Sequence, residues 1–353
     1  MVLVATVSFL FATALIIQLP RVQTFIVGKV TDRLDDKLDA DIRFEKIHFR
    51  PFRTLILKNV EIIDRNPVAD AVNPESIKVD TFFRAEYITA RFTLEGLFRQ
   101  GCLHLDNASV SNAEMNLVLE DKPDAGDGDT STDNLSRIFR LKKPEVPKRS
   151  EKEIFHINHV EIEDMRFTMR NHGEGKVPFH GGINWDDLDI TDINLTAEDL
   201  QFKAGIMSGS ADLGPFREKS GYRTERITGE AKVGRGKTIV ENLRIKDPWS
   251  DLSLPLFMMS YANVKAFQNF IEEVKIDAEI AESSLDFKTL TYFAPQLGDN
   301  RLKAGVSGKA SGYVNDFSFT DMKIASYAGG FSGVANGRMT GIPEIESTRI
   351  KPG

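Results

Sequence analysis

The sequence has a single cysteine, Cys102, in 353 residues. One cysteine excludes an internal disulfide and a cysteine-rich metal site. The sequence also lacks an extended basic stripe, since the net charge is -7 and the basic residues cluster only between Lys142 and Lys152. Nucleic-acid binding depends on clustered cations that contact phosphates. We therefore expect no nucleic-acid partner.

Catalytic signatures are absent too. The sequence contains no GxSxG nucleophile elbow, no dinucleotide fingerprint and no Gly-rich phosphate loop. Its 6 histidines lack the spacing of metal ligands, and the acidic run Asp127–Asp133 lacks the glycine and the terminal glutamate of an EF-hand. The sequence therefore predicts a protein that is not an enzyme and has no metal site and no cofactor.

Charged side chains are missing from the start of the chain, MVLVATVSFLFATALIIQL. A helix rises about 1.5 Å per residue, so this stretch just crosses a hydrocarbon core of about 30 Å. A cleaved signal peptide is the alternative, but no Lys or Arg precedes the stretch and Ala14 is followed by more apolar residues. We predict a retained transmembrane helix over residues 1–20. Under the positive-inside rule, however, Arg21, Lys29 and Arg33 would keep the following chain in the cytoplasm.

Four segments follow this stretch. Apolar residues recur every four positions over residues 21–40, which predicts an amphipathic helix. The apolar period then becomes two, which predicts β strands over residues 41–120 and 153–353. Between them, residues 121–152 mix acidic and basic tracts with few apolar side chains, which predicts a flexible loop or linker.

Two short helices interrupt the strand pattern. The stretch LSRIFR, residues 135–140, is a short helical segment within the linker. A second helix is expected from Leu285 to Phe293, with Ser284 as its cap and Pro295 beyond its end.

The alternation of the strands is irregular. In LILKNVEIID, Leu55 and Leu57 share one parity, whereas Val60 and Ile62 share the other. Two polar residues stand at this step, where strict alternation allows one. The step recurs in LHLDNASV at Leu103, FHINHVEI at Phe155, INWDDLDI at Ile183, TIVENLRI at Thr238 and FSFTDMKI at Phe317.

A β-bulge explains each step. One extra residue returns the apolar side chains to the same face, which a regular strand cannot do after a slip of one residue. The alternative is a hairpin turn, but two-residue turns prefer Asn-Gly or Asp-Gly. The second polar residue of each step is of a type that tolerates unusual backbone angles. These residues are Asn59, Asn107, His159, Asp187, Asn242 and Asp321.

Several segments resemble a known family. PRVQTFIVGKV follows the apolar start, and IRFEKIHFRPFRTLILKNVEIID comes next. Towards the other end, LDFKTLTYFAPQL leads into VSGKASGYVNDFSF and GGFSGVANGRMTGI. These segments resemble the TamB branch of the AsmA-like superfamily, the inner-membrane subunit of the translocation and assembly module of bacterial envelopes. The resemblance covers most of the chain outside residues 121–152.

The resemblance implies a fold, a location and partners. The fold is mainly β: a transmembrane helix followed by an elongated, bulged antiparallel sheet that is curled into a trough with an apolar inner face. The location is the inner membrane, with a single span and the bulk of the chain in the periplasm. The chain has no trace of the family's C-terminal domain, which would meet an outer-membrane barrel partner, so we expect it to be the N-terminal part of a longer protein.

Three functions stay open. The first is a lipid conduit, in which phospholipid acyl chains pass along the apolar face between the two membranes in support of outer-membrane biogenesis. The second is an envelope scaffold, in which this face is a closed core and the sheet binds other envelope proteins by strand addition. The third, an enzyme, lacks a clustered acid, base or nucleophile. The candidate residues lining the lipid groove are Val60, Ile62, Val110, Val160, Ile162, Leu188, Ile190, Leu243, Ile245, Met322 and Ile324.

Overall fold

The computed structural model describes residues 39–50, 54–70, 73, 80–93, 103–120, 133–138, 153–173, 181–234, 236–262, 266, 270–293, 295, 302–341 and 349–352. Over these residues the chain is mainly β, as the alternation predicts, and its strand pairs are mostly antiparallel. The chain divides into two compact units. The first has residues 1–149, 155–178 and 185–194, and the second has residues 150–154, 179–184 and 195–353.

The first unit is built around one long strand, β3. Its strands are β1 (Ala40–Arg43), β2 (Lys46–Arg50), β3 (Thr54–Asp64), β4 (Thr81–Phe92), β5 (Leu103–Leu119), β6 (Glu153–Asn171) and the first half of β7 (Asp187–Lys203). β1 and β2 both pair antiparallel with β3, one after the other along its length. β3, β4 and β5 follow one another in antiparallel order.

β5 and β6 run parallel, which corrects the expectation of an antiparallel sheet throughout. Leu103 lies beside Phe155, and Leu119 lies beside Asn171. Parallel neighbours cannot be joined by a tight turn and need a crossover of about a dozen residues or more. The segment predicted as a linker, residues 121–152, supplies this crossover, and the structure describes only residues 133–138 of it.

The second unit continues strand by strand. Its further strands are β8 (Ile206–Leu213), β9 (Arg217–Glu218), β10 (Arg226–Gly234), β11 (Lys237–Lys246), β12 (Asp251–Ser260), β13 (Lys275–Asp286), β14 (Lys303–Tyr313), β15 (Asp316–Ser326), β16 (Ser332–Thr340) and β17 (Arg349–Pro352). The second half of β7 pairs with β8, and β8 pairs with β10. From β10 to β17 each strand pairs antiparallel with the next. Antiparallel neighbours tolerate short connections: Ala204 and Gly205, both with positive φ, turn β7 into β8.

Three short helices lie among the described residues: α1 (Asn134–Ile138), α2 (Phe270–Glu273) and α3 (Phe287–Phe293). α1 confirms the short helix expected within the linker. α3 begins later than predicted, because Leu285 still belongs to β13. Its cap is Asp286 and not Ser284, since the backbone N–H of Lys288 donates to the Asp286 carboxylate at 2.9 Å.

The predicted fold also included an N-terminal transmembrane helix, and the described part of the chain does not show one. Among the residues that the structure describes, no helix is long and apolar enough to cross a membrane. The predicted span at residues 1–20 itself lies outside the described residues, as does most of the amphipathic helix predicted over residues 21–40. At the end of that second range, Ala40 belongs to β1, where it pairs with Asp64 of β3.

Candidate functional site

The steps in the strands appear as left-handed backbone. In the strands that the structure describes, seven residues other than glycine have positive φ, and all are Asn or Asp. Each follows a polar residue and precedes an apolar one, as in Lys58-Asn59-Val60. The left-handed region costs an L-residue about 1–2 kcal/mol, and Asn and Asp tolerate it best. The seven are Asn59, Asn112, Asp164, Asp192, Asp199, Asn242 and Asp321.

Three of the six predicted step residues have a left-handed backbone. Positive φ is confirmed at Asn59, Asn242 and Asp321, and the strands run unbroken through these steps, which excludes the hairpin alternative. Asn107, His159 and Asp187 do not have positive φ, although the register of β5 against β4 shifts by one residue between Leu105 and Asn107, which supports a bulge at that predicted step. In β5, β6 and β7 the left-handed residue comes five positions later, at Asn112, Asp164 and Asp192.

A hydrogen bond to a neighbouring strand accompanies the left-handed residue of β5. The side-chain amide of Asn112 donates to the Glu86 carboxylate of β4 at 2.6 Å. The pairing of β5 with β4 keeps the same register on both sides of Asn112. In β15, the backbone N–H of Asp321 donates to the Asn336 side chain at 2.6 Å. Each of these two residues is therefore tied to a neighbouring strand.

In the second unit the steps are true bulges, as β11 shows. Val240 pairs with Ala231 of β10, and Ile245 pairs with Ile227. Between these two pairs β11 advances five positions and β10 advances four. The extra residue in β11 keeps Val240, Leu243 and Ile245 on the same face, as the sequence predicts.

Three of these bulges face a glycine of the neighbouring strand. The pairs are Asp199 with Gly209, Asn242 with Gly229, and Asp321 with Gly308. A Cβ atom on Gly308 would lie 2.8 Å from the Cα of Met322, which is closer than real Cβ atoms approach backbone. At Gly308, strand β15 therefore comes so near β14 that a side chain does not fit without a shift of the backbone.

Register pairs also show which side chains share a face, since directly opposed residues point to the same side of a sheet. One row of direct partners crosses six strands, β10 to β15. It runs Ala231, Val240, Phe257, Ala278, Ala310, Phe319. A second row contains Ile227, Ile245 and Leu252. We call the side of β10–β15 that carries these rows the open face.

The open face is apolar, yet it is not buried. Every residue of both rows is half-buried, and none of them reaches the burial of a core residue. Further along β15, Ile324 is 37% exposed. A closed β core covers its apolar face with other protein atoms. Among the described residues, no element covers the two rows to that extent.

The opposite side of the same strands is charged. Cross-strand ion pairs join Lys232 to Glu241 at 2.9 Å and Arg244 to Asp251 at 2.7 Å. The hydrogen bond from Arg244 lowers the pKa of the Asp251 carboxyl. Such exposed pairs contribute little stability, about 0–1 kcal/mol each. They show that this side is more polar than the open face, although it also carries the half-buried Ile239 and Met258.

One end of the first unit has a closed apolar face. Phe82 is 4% exposed and Ile138 of α1 is fully buried, and both pack in one cluster with Ala40. The partly buried side chains packed against this cluster are Ile62, Phe83, Met115 and Leu135. α1 therefore covers the end of β3, β4 and β5 as an ordinary core element. We call this region the closed face.

A buried ion-pair network fixes α1 over the closed face. The Arg137 guanidinium donates two hydrogen bonds to Asp64, both at 2.7 Å, and one to Glu120 at 2.7 Å. The Arg137 side chain is only 12% exposed. Burial raises the pKa of the Glu120 carboxyl, and the bond from Arg137 opposes that rise. Sequence reasoning missed this network because its members lie in segments that only the fold brings together.

The predicted lining residues divide between these regions. Val60 and Leu188 are buried, and Ile62 packs against the closed cluster. Val110, Val160, Ile162 and Ile190 are half-buried in the first unit, where Val110 lies directly beside Ile162. Leu243 and Ile245 lie on the open face, and Met322 and Ile324 follow the step of β15 in the second unit. The structure thus brings these residues into two separate sets.

Other kinds of site have less support. In the part of the chain that the structure describes, no group of three or more His, Cys, Asp or Glu residues is placed to hold a metal ion. A comparison with protein-family models finds no match, and a comparison with curated proteins finds no match either. The incomplete burial of the open face is therefore the feature on which a function can be argued.

Proposed function

We propose that this protein binds phospholipid acyl chains along the open face and conducts them between the inner and outer membranes of a bacterial envelope. The observation that carries the proposal is that the two apolar rows on β10–β15 are only half-buried. Large exposed apolar surfaces are rare on soluble proteins and mark sites for lipid, protein or ligand. The resemblance to the TamB branch favours lipid among these.

Acyl chains suit the open face physically. Each methylene that leaves water contributes about 0.8 kcal/mol, and no directional bond is required. The row from Ala231 to Phe319 crosses six strands, and neighbouring strands lie about 4.8 Å apart. An acyl chain that slides along this row keeps its apolar contacts at each strand, so the binding free energy changes little with position.

The alternative function is an envelope scaffold, in which the apolar face is a closed core and the sheet edges bind other envelope proteins. The buried cluster of Phe82 and Ile138 favours this alternative for the first unit. The half-buried rows of the second unit favour the lipid conduit there.

A matched set of variants on one strand tests the proposal. Leu243→Asp and Ile245→Asp place a carboxylate on the open face, whereas Ile239→Asp places it on the charged side, beside Lys232. The full chain is incubated with phosphatidylethanolamine, and bound lipid is counted by native mass spectrometry. We expect the wild type and Ile239→Asp to carry lipid and the other two variants to lose at least about tenfold in occupancy, roughly the effect of two lost methylene contacts. Equal occupancy in all four proteins would contradict the proposal.

A further inference from the structure

A hairpin in the second unit carries an unusual concentration of positive charge. It spans Phe216–Thr224, and the backbone N–H of Thr224 donates to the Phe216 carbonyl at 3.1 Å. Within it, Arg217 and Arg223 are direct cross-strand partners. Like charges placed directly opposite destabilise a strand pair. The hairpin therefore presents two cations side by side at its surface.

The hairpin has one acidic residue, and its cations are more exposed than that residue. Glu218 is buried, and its carboxylate accepts the backbone N–H of Ser220 at 2.7 Å. Arg217, Lys219 and Arg223 are all exposed. The chain as a whole carries a net charge of -7, so the hairpin surface is locally opposite in sign to the rest of the protein.

An aromatic cluster lies directly beneath the hairpin. The ring of Tyr222 is 5.4 Å from that of Tyr292 and 5.2 Å from that of Phe293, and Trp249 stacks on Tyr292 at 5.5 Å. Phe293 is nevertheless 46% exposed. The exposed Lys288 adds a further cation, with its Nζ 5.2 Å above the Tyr292 ring. Burial, reinforced by the Asp247 carboxylate, raises the pKa of Tyr222 to about 12, so this phenol stays neutral.

Buried hydrogen bonds fix α3, which carries two of these rings. Thr289 Oγ1 donates to the Asp247 carboxylate at 2.7 Å and lies 2.7 Å from Ser250 Oγ. The backbone N–H of Asp286 donates to the same Ser250 hydroxyl at 2.9 Å. The rings that α3 carries are therefore held in place before any partner binds, which lowers the entropic cost of binding.

We propose that this surface, formed by the hairpin Phe216–Thr224 with Lys288 and Phe293, docks on the surface of a bilayer rich in anionic phospholipid. Basic residues are attracted to anionic headgroups, and aromatic side chains favour the boundary between headgroups and acyl chains. An acidic soluble protein would satisfy the cations but would not account for the exposed Phe293. The proposal concerns a different surface from the open face and stands independently of acyl-chain binding there.

Trp249 supplies a local probe for the test. The full chain contains 2 Trp residues, and Trp185→Phe leaves Trp249 as the single fluorophore. Vesicles of brominated phosphatidylglycerol or brominated phosphatidylcholine quench a tryptophan that lies at the bilayer boundary. Co-sedimentation would also report contacts made by other parts of the chain, whereas quenching of Trp249 reports this surface alone.

The charge-reversal pair Lys219→Glu and Arg223→Glu is compared with a matched pair, Lys203→Glu and Lys237→Glu, which are exposed elsewhere in the second unit. We expect phosphatidylglycerol to quench Trp249, with weaker quenching at high salt, and phosphatidylcholine to quench it little. The first pair should weaken the apparent vesicle affinity at least about tenfold, and the matched pair should change it by less than about twofold. No quenching by phosphatidylglycerol, equal quenching by both lipids, or equal effects of the two pairs would overturn the proposal.

Discussion

The closed face of the first unit and the open face of the second are built from the same kind of strand, yet one is buried and the other is not. At the closed face, Phe82 and Ile138 are almost inaccessible to water. At the open face, the row from Ala231 to Phe319 is only half-buried. Alternation produces an apolar side in both cases. A second element, α1, is what turns the first of these sides into a core.

The comparison also shows what closing a face requires. α1 is tied to the closed face by Arg137, which is buried with two carboxylates, Asp64 and Glu120. The Asn134 side chain also joins α1 to β5, since the backbone N–H of Val118 donates to its amide oxygen at 3.0 Å. The open face has no comparable buried network among the described residues. We infer that a buried polar network holds the closed face together, whereas the open face stays accessible.

The largest expected effect comes from a charge placed on each face. Phe82→Asp puts a carboxylate into the closed cluster and should lower the free energy of unfolding by about 4 kcal/mol or more. Leu243→Asp puts the same group on the open face, where water can reach it, and should cost less than about 1.5 kcal/mol. Urea unfolding, with hydrogen exchange to locate the unfolding unit, measures both. Equal losses would mean that the second face is also a closed core.

The ion-pair network gives the next effect. Arg137→Met leaves Asp64 and Glu120 buried without their cation and should cost about 3–5 kcal/mol. Arg244→Met removes an exposed cation, whose side chain is 62% accessible, and should cost less than about 1 kcal/mol. Hydrogen exchange of β5 amides after Arg137→Met should rise towards the rate of the unfolded chain. Unchanged protection of β5 would show that α1 does not hold the closed face.

The glycines opposite the bulges test whether close packing of the backbone contributes to stability. Gly308→Ala forces a Cβ to within 2.8 Å of the Met322 Cα at a position where φ is +144°. The substitution should cost about 1–3 kcal/mol. Gly333→Ala serves as the control, because no heavy atom lies within 4 Å of its Cβ position, and should change stability by about 0.5 kcal/mol or less. If the thermal melts of the two variants coincide, the steric argument is contradicted.

The smallest expected effect belongs to the step residues. Asn242 has φ of 53°, so Asn242→Ala should cost about 1 kcal/mol, whereas Asn242→Gly should be close to neutral. Urea unfolding measures the loss of stability in each variant, and the difference between the two losses is more informative than either alone. A larger loss for glycine than for alanine would show that the side chain of Asn242 matters more than its backbone angle.

The sequence predicts the local features of this protein better than its long-range ones. Alternation identifies the strands, and the polar pair ending in Asn or Asp predicts the steps at Asn59, Asn242 and Asp321. The left-handed residue Asn112 bonds to Glu86 on a neighbouring strand, and no local rule separates it from the polar pair at Asn107. The parallel pairing of β5 with β6 depends on contacts far apart in sequence in the same way.

The candidate surface shows the same limit. Parity correctly places Leu243 and Ile245 on one face, because a bulge restores the alternation. Parity cannot show whether another segment covers that face. Val60 and Leu243 follow the same kind of step, but Val60 is 5% exposed and Leu243 is half-buried. The difference comes from packing in the folded chain, which the pattern of apolar residues does not contain.

Site-specific photo-crosslinking to lipid tests the central claim most directly. A photoreactive side chain is placed at Val240 on the open face, at Ile239 on the charged side of the same strand, or at Ala85, which is buried in the first unit. The proposal predicts that phospholipid crosslinks to position 240 and not to positions 239 or 85. Equal crosslinking at positions 240 and 239, or no lipid at position 240, would contradict the claim that the open face holds acyl chains.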